Sequence, residues 1–131
     1  AKVKARAAGE LPTVRRRRRE HKHTVIPAQF ELIVGDLSFI SLTLVLPALV
    51  PLLSPQGDLL LLVKPQFELQ PGQIGKGGVV RDSALYAVVE QRLRQACADA
   101  GLQTVAWLPS PIEGGDGNRE FFIHARHAAA V

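Results

Sequence analysis

Two short apolar runs, each stopped by a charge, constrain this chain more than any other feature. Glu31-Leu32-Ile33-Val34-Gly35 runs into Asp36, and Leu59-Leu60-Leu61-Leu62-Val63 runs into Lys64. Apolar stretches of this length without polar alternation suit strands of a parallel sheet with both faces covered. Between them Ser38 can N-cap a helix reaching to about Leu53, which Pro47 bends or ends early, and Ser54-Pro55-Gln56-Gly57 has turn chemistry. Strand, helix, turn and strand in this order predict a right-handed βαβ crossover. The two strands then point the same way, and Asp36 and Lys64 share the rim where open α/β sheets bind ligands.

The rest of the chain extends this unit. The glycine and polar content from Glu68 to Arg81 predicts a functional or mobile loop. Asp82 or Ser83 caps a second helix, in which Leu85, Val88, Val89, Leu93, Ala96, Cys97 and Ala100 recur at three- and four-residue intervals, and Gly101 ends it. Gln103 to Leu108 reads as a third strand and Arg119 to Arg126 as a fourth. The short link between them favours an antiparallel pair, with Trp107 and Phe121 as core residues on facing strands. Glu120 opens the last strand. With Asp36 and Lys64 it makes a lysine held by two carboxylates, a pattern that serves either as a structural ion-pair cluster or as a catalytic site.

Length and charge set the outer limits. At 131 residues and 47% hydrophobic, the chain can build one domain with a real core. Its net charge of +4 is unevenly spread: residues 1–29 hold nine Lys and Arg against two Glu, whereas residues 30–131 hold seven against ten acids. The basic character therefore belongs to a leader, residues 1–27, expected to be disordered, whose five arginines Arg15 to Arg19 could also grip RNA phosphates without sequence preference. Cys97 is the single cysteine, so an intrachain disulfide is excluded and a reducing, cytoplasmic setting is expected. Leu32 to Leu53 is apolar enough to suggest a membrane span. Asp36, Pro47 and Pro51 inside it make stable insertion costly, and none is expected. His21, His23, His124 and His127 lack a third kind of ligand nearby in sequence, so no metal site is expected.

Five motifs carry a family resemblance. They are Gly35-Asp36-Leu37-Ser38-Phe39-Ile40-Ser41-Leu42, Val63-Lys64-Pro65-Gln66-Phe67-Glu68, Gly75-Lys76-Gly77-Gly78-Val79-Val80-Arg81-Asp82, Pro109-Ser110-Pro111-Ile112 and Gly117-Asn118-Arg119-Glu120-Phe121. In this order and spacing the chain, over about residues 28–131, closely resembles the TlyA family. These are bacterial FtsJ-like ribosomal RNA ribose 2'-O-methyltransferases often labelled hemolysins.

The resemblance implies an α/β fold, the carboxyl-terminal half of a Rossmann-like methyltransferase sheet without its first strands. It implies methyl transfer from S-adenosylmethionine to a ribose 2'-hydroxyl of ribosomal RNA. The family's catalytic set is Lys-Asp-Lys-Glu, whose last three members fall on Asp36, Lys64 and Glu120, while its first lysine has no counterpart here. Lys76 and Arg81 are candidate RNA-phosphate contacts. The family's glycine-rich cofactor loop, and the acid that holds the cofactor ribose, have no match in residues 1–27. A truncated form, inactive alone, is therefore expected. Its strand ending at Asp36 should expose an edge that invites self-association. The competing functions are a membrane-active hemolysin working through residues 32–53, and a noncatalytic RNA-binding remnant using the arginine run.

Overall fold

The computed structural model describes residues 2–7, 29–80, 82–111 and 117–129. They form five strands and two helices. In chain order these are β1 (Lys2–Ala7), β2 (Phe30–Asp36), α1 (Leu42–Leu49), β3 (Leu53–Val63), α2 (Leu85–Asp99), β4 (Leu102–Pro109) and β5 (Phe121–His127). The strands lie in one sheet in the order β1-β2-β3-β5-β4. β2 and β3 are parallel and are joined through α1, and every other neighbouring pair is antiparallel. The expected βαβ unit and terminal antiparallel pair are thus both present.

Burial follows the pleat. Leu59, Leu61 and Val63 of β3 are buried, with Ile33 of β2 and Ile123 of β5 beside them. Residues one step out of phase, Leu32, Val34, Leu60 and Leu62, are exposed or half-buried. Period-two alternation places these two sets on opposite faces. The buried set joins one core with Leu42, Leu46 and Leu49 of α1 and Val89, Leu93 and Cys97 of α2. The continuous apolar run in β3 therefore has one closely covered face and one only half covered.

Several sequence expectations are corrected by tertiary contacts. Residues 2–7, expected within a disordered leader, form β1 with Lys2 opposite Asp36 and Ala7 opposite Phe30. The β2 edge expected to be bare is consequently paired within the chain, because its backbone donors and acceptors find partners there. The arginine run lies outside the described residues.

The first helix begins at Leu42 rather than after Ser38, and its N-cap is Ser41, whose hydroxyl accepts from the Thr43 amide at 3.1 Å. Ser38 is drawn away by Lys64, and Phe39 has a φ of +65° that no right-handed helix accepts. Pro47 sits inside α1, which ends two residues later and gives way to a 3₁₀ turn over Val50–Leu52. With a strand, an eight-residue helix and a 3₁₀ turn sharing residues 32–53, that stretch is not a spanning helix. Among the described residues, no helix is long and apolar enough to cross a membrane.

The expected turn at Ser54–Gly57 is absorbed into β3. The register jumps from Phe30↔Leu53 to Leu32↔Asp58, so residues 54–57 bulge against β2. A Cβ on Gly57 would stand 2.8 Å from the carbonyl oxygen of Phe30, so the backbones approach too closely for a side chain. On α2 the buried stripe is Val89, Leu93 and Cys97, whereas Val88 is 40% exposed. Asp82 supports the start of this helix by accepting from the Ala84 amide at 2.9 Å.

Candidate active site

Sheet register brings the three expected acidic and basic residues to one rim. Asp36 ends β2 and Lys64 follows the end of parallel β3. Phe121 pairs with Val63, which sets Glu120 beside Lys64 at the same end of the sheet. Lys64 Nζ stands 2.6 Å from Asp36 Oδ1 and donates to Ser38 Oγ at 3.0 Å. An ammonium has three donors. Among the described residues, two are engaged and one is left. The Lys64 side chain is 16% exposed, so this remaining donor belongs to a mostly buried stem whose head reaches the rim.

Glu120 answers electrically to both partners. Burial pushes its carboxyl above the ordinary value, the Lys64 charge pulls it down, and the Asp36 charge pushes it up. A carboxyl held partly out of water in this way keeps its proton to a higher pH than an exposed glutamate.

Glu68, which sequence reasoning left as the start of a loop, is the main anchor beneath this rim. It is 6% exposed, and its carboxylate accepts from the Ser41 hydroxyl at 2.6 Å and from the Leu42 amide at 2.8 Å. Arg92 of α2 donates to its backbone carbonyl. Burial pushes the Glu68 carboxyl up, against the opposing pull of those hydrogen bonds and the Arg92 charge. The segments 36–42 and 64–68 are thus cross-linked at successive positions: Asp36 and Ser38 to Lys64, Phe39 to Phe67 by ring contact, and Ser41 and Leu42 to Glu68. An acid five residues past the end of β3, together with a serine before an apolar run, was the available signal.

Asn118 is the second anchor. Fully buried, it accepts from the Val80 amide at 2.9 Å and donates to the Gly78 carbonyl at 2.7 Å. Gly77 and Gly78 have φ of +76° and +80°, conformations that favour glycine. Asn118 thereby ties the glycine-rich loop to the backbone that presents Glu120. Of the expected RNA contacts, Lys76 falls in the 3₁₀ turn Lys76–Gly78 and Arg81 lies outside the described residues.

A lysine between carboxylates at parallel strand ends, under a pinned glycine loop, gives a setting in which relatives can be compared. The sequence profile of the FtsJ-like methyltransferases matches residues 9–127. The chain belongs to that family. Within it the TlyA members are similar in sequence. The 16S/23S rRNA (cytidine-2'-O)-methyltransferase TlyA of Mycobacterium tuberculosis is 45% identical over 77% of this chain and 38% of its own length. YqxC of Bacillus subtilis, described as an rRNA methyltransferase, is 46% identical over 75% of this chain and 37% of its own length. A protein described as a hemolysin from Streptococcus thermophilus superposes with a TM-score of 0.73 at 39% identity, covering 78% of this chain and 37% of that one. The chain is therefore a TlyA-family sequence that spans well under half the length of these relatives.

FtsJ-like methyltransferases use S-adenosylmethionine. Cofactor crevices in such sheets open between the carboxyl ends of adjacent parallel strands. Beside the carboxyl end of β2 stands Lys2, the beginning of antiparallel β1. Among the described residues, no parallel strand flanks β2 on the side of β1, so no cofactor contact is assigned to them.

Proposed function

We propose that this chain carries the methyl-acceptor half of a TlyA-type ribosomal RNA ribose 2'-O-methyltransferase. The observation that carries the reading is the Lys64 ammonium, 2.6 Å from Asp36 and 3.0 Å from Ser38, with Glu120 close enough for its proton affinity to respond to both charges. A ribose hydroxyl is a poor nucleophile and must be aligned before it reacts. In this reading the unused N–H of Lys64 donates to the 2'-oxygen and fixes its direction. Asp36 and Ser38 hold the ammonium in place, and Glu120 is the group beside it that takes up the hydroxyl proton. S-adenosylmethionine is the methyl donor in this proposal, and Lys76 and Arg81 of the glycine-rich loop are the proposed phosphate contacts.

The test is a chimera in which residues 28–131 replace the matching segment of the Bacillus subtilis relative, assayed for 2'-O-methylation of ribosomal RNA with labelled S-adenosylmethionine. Methylation that falls by about 10²-fold or more in Lys64→Met is the expected result. An active chimera indifferent to Lys64→Met and to Glu120→Gln would overturn the assignment. Calorimetric titration of the 131-residue chain with S-adenosylmethionine separately measures whether it binds the donor unaided.

A further inference from the structure

The turn that follows Lys64 holds a polar atom with nothing to bond. Among the described residues, two side-chain oxygens, Gln66 Oε1 and Thr104 Oγ1, are buried without a well-formed hydrogen bond. The Thr104 hydroxyl has the Cys97 thiol beside it where α2 packs on β4. Gln66 Oε1 has no such neighbour, and an amide oxygen withdrawn from water without a donor costs stability. The rest of Gln66 is half-buried, so part of the side chain still meets solvent. Its position is fixed from both ends. Lys64 is held by Asp36 and Ser38, and Glu68 by Ser41 and Leu42. Between them the 3₁₀ turn Pro65–Phe67 closes with the Phe67 amide donating to the Lys64 carbonyl at 2.9 Å and the Glu68 amide to that of Pro65 at 2.9 Å. Two residues of chain separate Cα atoms by at most about 7.6 Å, so this amide is tethered beside the Lys64 ammonium.

We propose that Gln66 reads the base of the nucleotide whose ribose meets Lys64, its amide oxygen accepting from an exocyclic amine of that base. This inference rests on the reading of the rim as a ribose site and adds to it a group that chooses between bases. A base is joined directly to its ribose, so a residue next to the ribose-aligning ammonium lies one glycosidic bond from the base edge. A carboxamide carries an acceptor and a donor side by side. Cytosine sets its N4 amine beside the N3 acceptor, and adenine its N6 amine beside N1, so either meets the amide as a two-pronged pair. The atom lacking a partner is the oxygen, which calls for a donor; uracil has a carbonyl where cytosine has the amine. A half-turn about the last torsion, which is broad in a terminal amide, carries the oxygen from its inward position to the base. Binding then relieves the unpaired state that the free chain holds.

Binding of the full chain is measured to a short oligocytidine and to the same oligomer built with 2-pyrimidinone, which is cytosine without its amine. Wild type should prefer the oligocytidine by about 5- to 150-fold, the equivalent of ~1–3 kcal/mol for a two-pronged base contact. Gln66→Met, which keeps the length of the side chain and removes the amide, should bind the two oligomers alike. In urea it should be at least as stable as wild type, because no buried oxygen is left unpaired. Wild type binding both oligomers equally overturns this inference alone, and that comparison needs no variant. Gln66→Met keeping the preference overturns it as well, and a Gln66→Met chain that fails to fold makes the amide a structural group and does the same. Failure of the wild type to bind any RNA overturns both this inference and the reading of the rim.

Discussion

Glu68 offers the sharpest quantitative test of how the rim is built, because its replacement by Ala and by Gln should behave differently and respond differently to pH. Glu68→Ala leaves the buried Leu42 amide without its acceptor, while the Ser41 hydroxyl keeps Thr43 as a neighbour at 2.8 Å. An orphaned buried donor costs about 1–3 kcal/mol and the lost packing about 1 kcal/mol more, so a loss of roughly 2–4 kcal/mol is expected. For a domain of this size that lowers the unfolding temperature by about 6–15 °C. Glu68→Gln keeps the shape, one acceptor for Leu42 and an amide that Ser41 can accept from by turning its hydroxyl.

The pH dependence follows from burial. The folded Glu68 carboxyl is held above its ordinary 4.5, so the folded chain keeps this proton where the unfolded chain has lost it. The resulting stabilisation is fully present below 4.5 and disappears as pH rises through the folded value. Glutamine has no such proton. Relative to wild type, Glu68→Gln should therefore gain stability as pH is raised from below 4.5 toward neutrality. Other titrating groups are common to both proteins and cancel in the difference. Urea unfolding followed by circular dichroism across that range measures it. A Gln-minus-wild-type difference that is flat or moves the other way would refute the burial argument, and an Ala variant within about 0.5 kcal/mol of wild type would refute the anchor.

Three further outcomes are expected. Asn118→Ala orphans the Val80 amide and the Gly78 carbonyl, so it should cost about 2–4 kcal/mol and speed hydrogen exchange at Val80, both read by exchange under native conditions. Gly57→Ala places a methyl against the Phe30 carbonyl and should lose about 1–3 kcal/mol in chemical denaturation. Lys64→Met should change stability by only about 0–1 kcal/mol, because Asp36 is 61% exposed and its ion pair is solvent-screened. A large loss there would mark Lys64 as a structural rather than a substrate-facing group.

Particular residues show what was legible in advance. Leu59 to Val63 ending at Lys64, and Glu31 to Gly35 ending at Asp36, announced two strands because an apolar run followed by a charge marks where a sheet leaves its core. Their parallel pairing and the placing of Glu120 beside Lys64 followed from connection lengths. The choice between Ser38 and Ser41 as N-cap was not legible. Both are serines ahead of the same apolar run, and the decision came from Lys64 and Glu68, each about two dozen residues further on. The phase of α2 was equally ambiguous: Val88 and Val89 are adjacent and identical in chemistry, and packing buried only one of them.

Sequence by itself determined the family, the α/β order of elements and the identity of the three rim residues, since each depends on local pattern or on residue type at a fixed spacing. Tertiary structure alone decided that residues 2–7 pair with β2 and that Glu68 and Asn118 pin the loops. It also decided that Phe39 is forced outward in a left-handed conformation. The physical reason is that a hydrogen bond between residues dozens of positions apart leaves little periodic trace in sequence. Its partners are specified only when the chain has closed around them.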